Sequence, residues 1–184
     1  MTAPVFSHRL ATLEDIPAID ALIEASVVGN NRGVLSEKDL VAARETMGVD
    51  STLIDDQTYF VIETTVDGET LVVACGGWGK RRTLYGGAHT AGRDDRFSDP
   101  ATEPARIRAM FTHPDWVRQG LGTLLLRLGE ESALNAGFGV IELGSTVAGV
   151  PLYEARGYIA YHTEETVGAN GGIKTVVSMR KSLV

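Results

Sequence analysis

The chain has 184 residues, 43% hydrophobic and 22% charged, which is enough apolar material for a folded core and too little charge for a disordered chain. Its net charge of −7 excludes the basic surface that a phosphate backbone requires, so no nucleic-acid partner is expected. The one cysteine, Cys75, excludes an internal disulfide and fits a reducing compartment. The N-terminus lacks the basic-then-apolar pattern of a secretion signal, and no apolar run is long enough for a bilayer. The expectation is therefore a cytoplasmic protein with no membrane partner. His8, His89, His113 and His162 show no metal-ligand spacing, so no metal is expected.

Residues 6–10 read as a first strand. Thr12, with Asp15 three positions on, offers a helix N-terminus. Leu13, Ile16, Ile19, Leu22 and Ile23 then recur at helical spacing, and Gly29-Asn30-Asn31 reads as the stop. Ser36 opens a second helix to about Met47, with Leu40 and Val41 facing inward. Residues 59–66 and 71–78 read as antiparallel strands joined by Asp67-Gly68, a pair that accepts positive φ. Cys75 falls in the second of these as a small core residue. Periodicity then lapses over 79–105, a loop long enough to be functional or mobile, which carries Tyr85, His89, Arg93 and Arg96.

A strand follows at 106–112, and Pro114 ends it. A helix at 121–136 shows an apolar stripe of Leu121, Leu124, Leu125, Leu128 and Ala136, with Gly137 as its stop. Residues 139–143 read as a strand and 150–156 as a short helix closed by Gly157. Residues 158–167 and 173–179 form a last hairpin across 168–172. This order predicts one domain over 1–184 of the α/β (α+β) class: a mixed, mostly antiparallel sheet of about seven strands with helices on both faces.

Residues 106–123, RIRAMFTHPDWVRQGLGT, carry the strongest chemical signal. A strand ends, the chain turns at His113-Pro114, and a helix begins near Gly120. A helix start presents unpaired N–H groups and the positive end of the dipole. Gly120 and Gly122 have no Cβ to keep a phosphate away, and Arg118 adds a positive charge. By itself, a Gly-x-Gly at a helix start also fits close packing. The Gly-Lys-Ser/Thr ending of a nucleoside-triphosphate loop is absent, and Leu125 stands where a dinucleotide fingerprint needs glycine or alanine.

This stretch resembles motif A of the GNAT superfamily of acetyl-CoA-dependent N-acetyltransferases, and 150–158, VPLYEARGY, resembles its motif B. The separation of the two and the element order match over essentially the whole chain. The resemblance implies a GNAT-like acyl-CoA N-acyltransferase fold with acetyl-CoA as cosubstrate. It implies acetyl transfer to a primary amine of a small-molecule or peptide acceptor, by direct attack in a ternary complex. A non-catalytic acyl-CoA-binding or sensing module on the same fold is the alternative. Backbone groups of Met110, Phe111 and Thr112 would pair with the pantetheine arm. Arg118, Gln119, Gly120, Leu121, Gly122 and Thr123 would surround the pyrophosphate. Tyr153 falls where many members place a tyrosine beside the CoA sulfur, so that its O–H protonates the leaving thiolate; its other reading is a core aromatic with a satisfied hydroxyl. Many members dimerise, so a homodimer is a further expectation.

Departures from the family pattern are equally specific. Val117 stands where motif A often has Arg or Gln, with Arg118 as a substitute. Arg106 occupies the place of the glutamate base that many members carry, and Glu142 is another carboxylate to consider, either as base or as a salt-bridged strand residue. Ala148 replaces a frequent asparagine, whose hydrogen bond Thr146 or Ser145 would cover. The acceptor site is expected between the N-terminal helices and the 79–105 loop, lined by Trp78, Tyr85, His89 and Arg93. Arg93 and Arg96 would favour an acceptor with a carboxylate or phosphate.

Overall fold

The computed structural model describes residues 4–30, 36, 41, 47–87, 92–167 and 173–184. Its strands are β1 (Phe6–Leu10), β2 (Tyr59–Val66), β3 (Glu69–Gly79), β4 (Ala105–Thr112), β5 (Val140–Ser145), β6 (Ile159–Val167) and β7 (Ile173–Ser182). Its helices are α1 (Ile16–Asn30), α2 (Ser51–Asp55), α3 (Leu121–Asn135) and α4 (Val150–Glu154). The strands form one seven-stranded sheet in the order β1-β2-β3-β4-β5-β7-β6. Every neighbouring pair is antiparallel except β4 and β5.

Strand periodicity explains the layers. Alternate residues point to opposite faces, and the two helices divide them. Ile19, Leu22, Ile23 and Val27 of α1 pack on Tyr59, Val61 and Cys75. Leu121 and Leu125 of α3 pack on Ile62 and Ala74, and Leu126 and Ala133 on Ile107, Ile141 and Leu143. The entry to α1 is fixed as its sequence predicts. The Asp15 carboxylate accepts from Thr12 N–H at 2.7 Å, and Arg9 grips the same carboxylate through two nitrogens at 2.7 and 2.8 Å. At the β2–β3 turn, Asp67 (φ 51°) and Gly68 (φ 86°) both take positive φ.

Several expectations are corrected. Helix α1 is described to Asn30, within the predicted Gly29-Asn30-Asn31 stop, but Gly29 has a packing role the sequence did not show. A Cβ at Gly29 would lie 2.5 Å from Pro114 Cγ, so the glycine lets the helix meet the turn after β4. The expected second helix falls mostly outside the described residues, Leu40 included, and the described Val41 is exposed rather than inward-facing. The 168–172 turn also lies outside them. Ala136 is exposed beyond the end of α3; the buried ridge is Leu121, Leu125, Gly129 and Ala133, one residue every fourth position. Helix α2 was not expected; Asp50 caps it, accepting from Thr52 N–H at 3.2 Å. Among the described residues, no helix is long and apolar enough to cross a membrane.

Candidate active site

The site begins where the sheet splits. The parallel strands β4 and β5 are paired only at Ala105–Ile141 and Arg106–Glu142, and then diverge. From Ile107 onward β4 keeps β3 on one edge, while its other edge faces a cavity of about 500 Å³. Ile107 to Thr112 line it, with Leu143, Ser145, Thr146, Gly122, Leu152 and Tyr153 across from them. A β-bulge interrupts β4 here: Cys75 pairs with Phe111 but Gly77 with Arg108, and Ala109 takes a φ of 49°. The Tyr59 hydroxyl donates to the Ala109 carbonyl at 2.8 Å and lies 3.2 Å from Cys75 Sγ, which holds the bulge from below. Cys75 is fully buried, and burial pushes its thiol up to about 12, in keeping with a core role.

Met110, Phe111 and Thr112 thus stand on the cavity wall. Thr112 differs from the other two, because its carbonyl already accepts from Asn30 Nδ2 at 2.8 Å. Asn30, read from sequence as part of a helix stop, instead ties α1 to the end of β4 and lines the cavity.

The turn into α3 lies next to this cavity, which Gly122 lines. Arg118 (φ 62°) and Gly120 (φ 81°) are both left-handed, a backbone shape that turns N–H groups to one side. Gly120 is the N-cap and has no side chain to satisfy the first turn, so those N–H groups have no acceptor within the helix. A Cβ at Gly120 would meet nothing within 4 Å, so the space above the turn is open. Gly122 has a different reason: a Cβ there would come within 3.0 Å of Leu152, so it serves packing. Arg118 and Gln119 are exposed, and Arg118 makes no ion pair among the described residues. Leu121 is buried in the core, and Thr123 is half-buried on the first turn.

Tyr153 stands on α4 and forms part of the cavity wall, edge-on to Tyr158 with centroids 5.8 Å apart. Its ring packs half-buried against the core, and its hydroxyl makes no hydrogen bond among the described residues. Burial pushes the phenol up to about 12. Thr146 caps the turn before α4, its Oγ1 accepting from Gly149 N–H at 3.3 Å, and the Ser145 hydroxyl donates to the Thr146 carbonyl at 2.6 Å. Both residues line the cavity.

The charged candidates separate into two groups away from the α3 turn. Arg106 and Glu142 pair with each other at 3.3 Å, and Glu142 also takes Arg180 at 3.3 Å and the Tyr161 hydroxyl at 3.2 Å. Neither lines the cavity, so Glu142 is a salt-bridged strand residue. The expectation that Arg93 and Arg96 await an anionic acceptor is not supported. Arg93 is bound to Asp50 at 2.9 Å and Asp95 at 2.8 Å, and Arg96 is held by Asp94, with Nε at 2.8 Å. Trp78 is buried against Phe138 and does not line the cavity, Tyr85 does, and His89 lies outside the described residues.

Sequence reasoning missed Asp50 and Arg108. Asp50 is fully buried and bridges Arg93 and Arg108, which approaches it at 2.8 Å. An arginine inside an otherwise apolar strand was the available signal, since such a group is buried only with partners. Its terminal nitrogens are taken by Asp50 and by the carbonyls of Thr83 and Gly86, and burial lowers its pKa.

A family model described as the acetyltransferase (GNAT) domain matches residues 89–183, half of the chain and both motif-like stretches. The chain belongs to the GNAT acetyltransferase family. Solved structures carry the same fold over nearly the full length. A GCN5-related N-acetyltransferase from Rhodopseudomonas palustris is 19% identical with a TM-score of 0.65, covering 99% of this chain and 97% of its own. The Salmonella typhimurium protein yncA, solved with its cofactor acetyl-CoA, is 18% identical with a TM-score of 0.62, covering 97% and 94%. The paia N-acetyltransferase from Thermoplasma acidophilum, in complex with coenzyme A, is 13% identical with a TM-score of 0.59, covering 97% and 99%. No curated protein matches the chain in sequence. The seven-stranded mixed sheet expected from the element order is the fold these structures share.

Proposed function

We propose that the protein is an N-acetyltransferase of a single domain, 1–184, working in the cytoplasm and moving the acetyl group of acetyl-CoA to a primary amine. The observation that carries this is the continuity of the cradle and the cleft. The open turn at Gly120 stands beside a cavity whose wall is the unpaired edge of β4. A pyrophosphate fits the first, and an extended amide-bearing arm fits the second as an added strand would. In this reading Arg118, Gln119, Gly120, Leu121, Gly122 and Thr123 surround the pyrophosphate, and Met110, Phe111 and the N–H side of Thr112 pair with the arm.

Holding the two reactants together supplies most of the acceleration. Backbone N–H groups at the Ala109 bulge polarise the thioester carbonyl, and the Tyr153 phenol, protonated at neutral pH, gives its proton to the departing thiolate. Thr146 and Ser145 shape the turn that carries Tyr153. Among the described residues the cavity wall contains no carboxylate, so the amine proton passes to water rather than to Glu142.

Calorimetry with acetyl-CoA tests the cofactor site. The wild-type protein is expected to bind it, Gly120→Glu to lose binding, and Gly120→Ala, which bears the same backbone strain without the charge, to keep part of it. Absence of binding by folded wild-type protein would overturn the proposal. The missing carboxylate also supports a second reading, an acyl-CoA sensor on this fold; tight binding with no thiol release across an amine panel would favour it.

A further inference from the structure

Helix α1 meets the end of β4 through its last turn. Gly29 packs on Pro114, and Asn30 reaches the strand itself. Its Nδ2 donates to the Thr112 carbonyl at 2.8 Å and to Ser26 Oγ, one helical turn back, at 3.1 Å. The strand register shows which edge of β4 this carbonyl belongs to. Thr112 stands opposite Ala74, and the next residue, His113, donates to the Val73 carbonyl at 2.9 Å. Hydrogen-bonded and non-bonded positions alternate along an antiparallel pair, so the N–H and C=O of Thr112 point away from β3, to the edge that faces the cavity. Ser26, Asn30 and Thr112 all line that cavity.

A carbonyl only accepts, so the nitrogen of the Asn30 carboxamide, not its oxygen, must face Thr112. Both N–H groups of that nitrogen are spent, and Oδ1 has no partner among the described residues. The Thr112 carbonyl is thereby occupied, while its N–H stays open on the same edge. Anything laid along β4 as an added strand would bring Thr112 both an N–H and a C=O. Here the C=O finds the Thr112 N–H, and the N–H finds the carbonyl taken and Asn30 Oδ1 beside it. Ser26 is buried and holds the carboxamide from behind, so its orientation is set before any ligand arrives.

We propose that Asn30 is a positioning residue for the cosubstrate: it stands in for a strand partner at the Thr112 carbonyl and sets where the arm of acetyl-CoA begins to pair with β4, its Oδ1 accepting an N–H or O–H of that arm. This rests on the acetyltransferase reading. The arm carries amide groups and a hydroxyl, so it has donors for Oδ1 and carbonyls for the Thr112 N–H. Asn30 bonds to β4 and to its own helix, and among the described residues no hydrogen bond joins it to 118–123. The pyrophosphate end of the cosubstrate is therefore bound independently of it.

The test uses the full-length protein, acetyl-CoA and adenosine 3′-phosphate 5′-diphosphate, which is the same cosubstrate without its arm. Calorimetry of the wild-type protein with acetyl-CoA comes first; no binding there would remove the acetyltransferase reading and this proposal with it. With binding established, Asn30→Ala is expected to raise the Kd for acetyl-CoA about tenfold. The Kd for the nucleotide, read by displacement of acetyl-CoA, should change less than about twofold. A purely structural tie would move both, because the end of α1 also packs on Pro114, at the start of the turn that leads to Gly120. Ser26→Ala leaves Oδ1 in place and removes only its support, so it should raise the acetyl-CoA Kd by no more than about threefold. An unchanged acetyl-CoA Kd in Asn30→Ala, an equal loss of both ligands, a Ser26→Ala loss as large as that of Asn30→Ala, or a nucleotide that fails to displace acetyl-CoA would each overturn the proposal.

Discussion

Tyr153 stands half-buried on the cavity wall, with a hydroxyl that makes no hydrogen bond among the described residues. Such a donor is left to meet water or a ligand. In the proposed reaction it meets the departing sulfur. Replacing Tyr153 with Phe is expected to lower kcat by about 10²-fold, with the Kd for acetyl-CoA unchanged, as read by thiol release and calorimetry. The turn into α3 was legible in the sequence because its backbone shape is local: Gly120 takes a left-handed conformation and the helix starts at the next residue. Asn30, Asp50 and Arg108 were not, because their partners are remote. Asn30 meets Thr112 at a separation of 82 residues, and Arg108 meets Asp50 at 58. Nothing within a window of one turn or one hairpin brings such groups together.

At the scale of elements, the strands and long helices followed from periodicity and turn chemistry, and errors collected where contact overrides local signal. Gly29 was read only as part of a helix stop and is also a contact point for Pro114. Arg93 looked like a free cation on a loop, and the loop is instead built around it. The same cluster makes α2, β4 and residues 83–87 depend on one carboxylate, since Asp50 caps the helix and pairs with both arginines, which in turn hold the carbonyls of Thr83, Gly86 and Gly87. Replacing Asp50 with Ala would leave Arg108 buried without its counter-charge and Arg93 with Asp95 alone. The expected cost is about 3–5 kcal/mol, measurable as a lowered urea midpoint at neutral pH. A variant as stable as wild type would show that the cluster does not bind these three elements together.

For the whole molecule, the buried Tyr59 and Tyr158 and the half-buried Tyr153 set a limit at high pH. Tyr59, Tyr153 and Tyr158 all have pKa values raised, chiefly by burial, Tyr153 to about 12. In the unfolded chain these phenols lose their protons near pH 10, as ordinary tyrosines do. Above that pH the unfolded state binds fewer protons than the folded state, so stability falls as pH rises. For Tyr153 the fall runs from about pH 10 to about 12 and is absent below it. Urea midpoints should therefore drop between pH 9 and pH 11 (about two units spanning the ordinary phenol value), and less steeply in Tyr153→Phe. The divergence of β4 from β5 has a mechanical consequence as well. Backbone pairing joins β1–β4 to β5–β7–β6 through only two residue pairs, so the sheet is two smaller sheets basted along one seam. Side chains of Ile107, Leu126, Ile141 and Leu143 hold that seam where hydrogen bonds do not. A substrate arm laid along β4 would act as the missing stitch. The protein would then close its own fault line each time it loads and reopen it each time the product leaves.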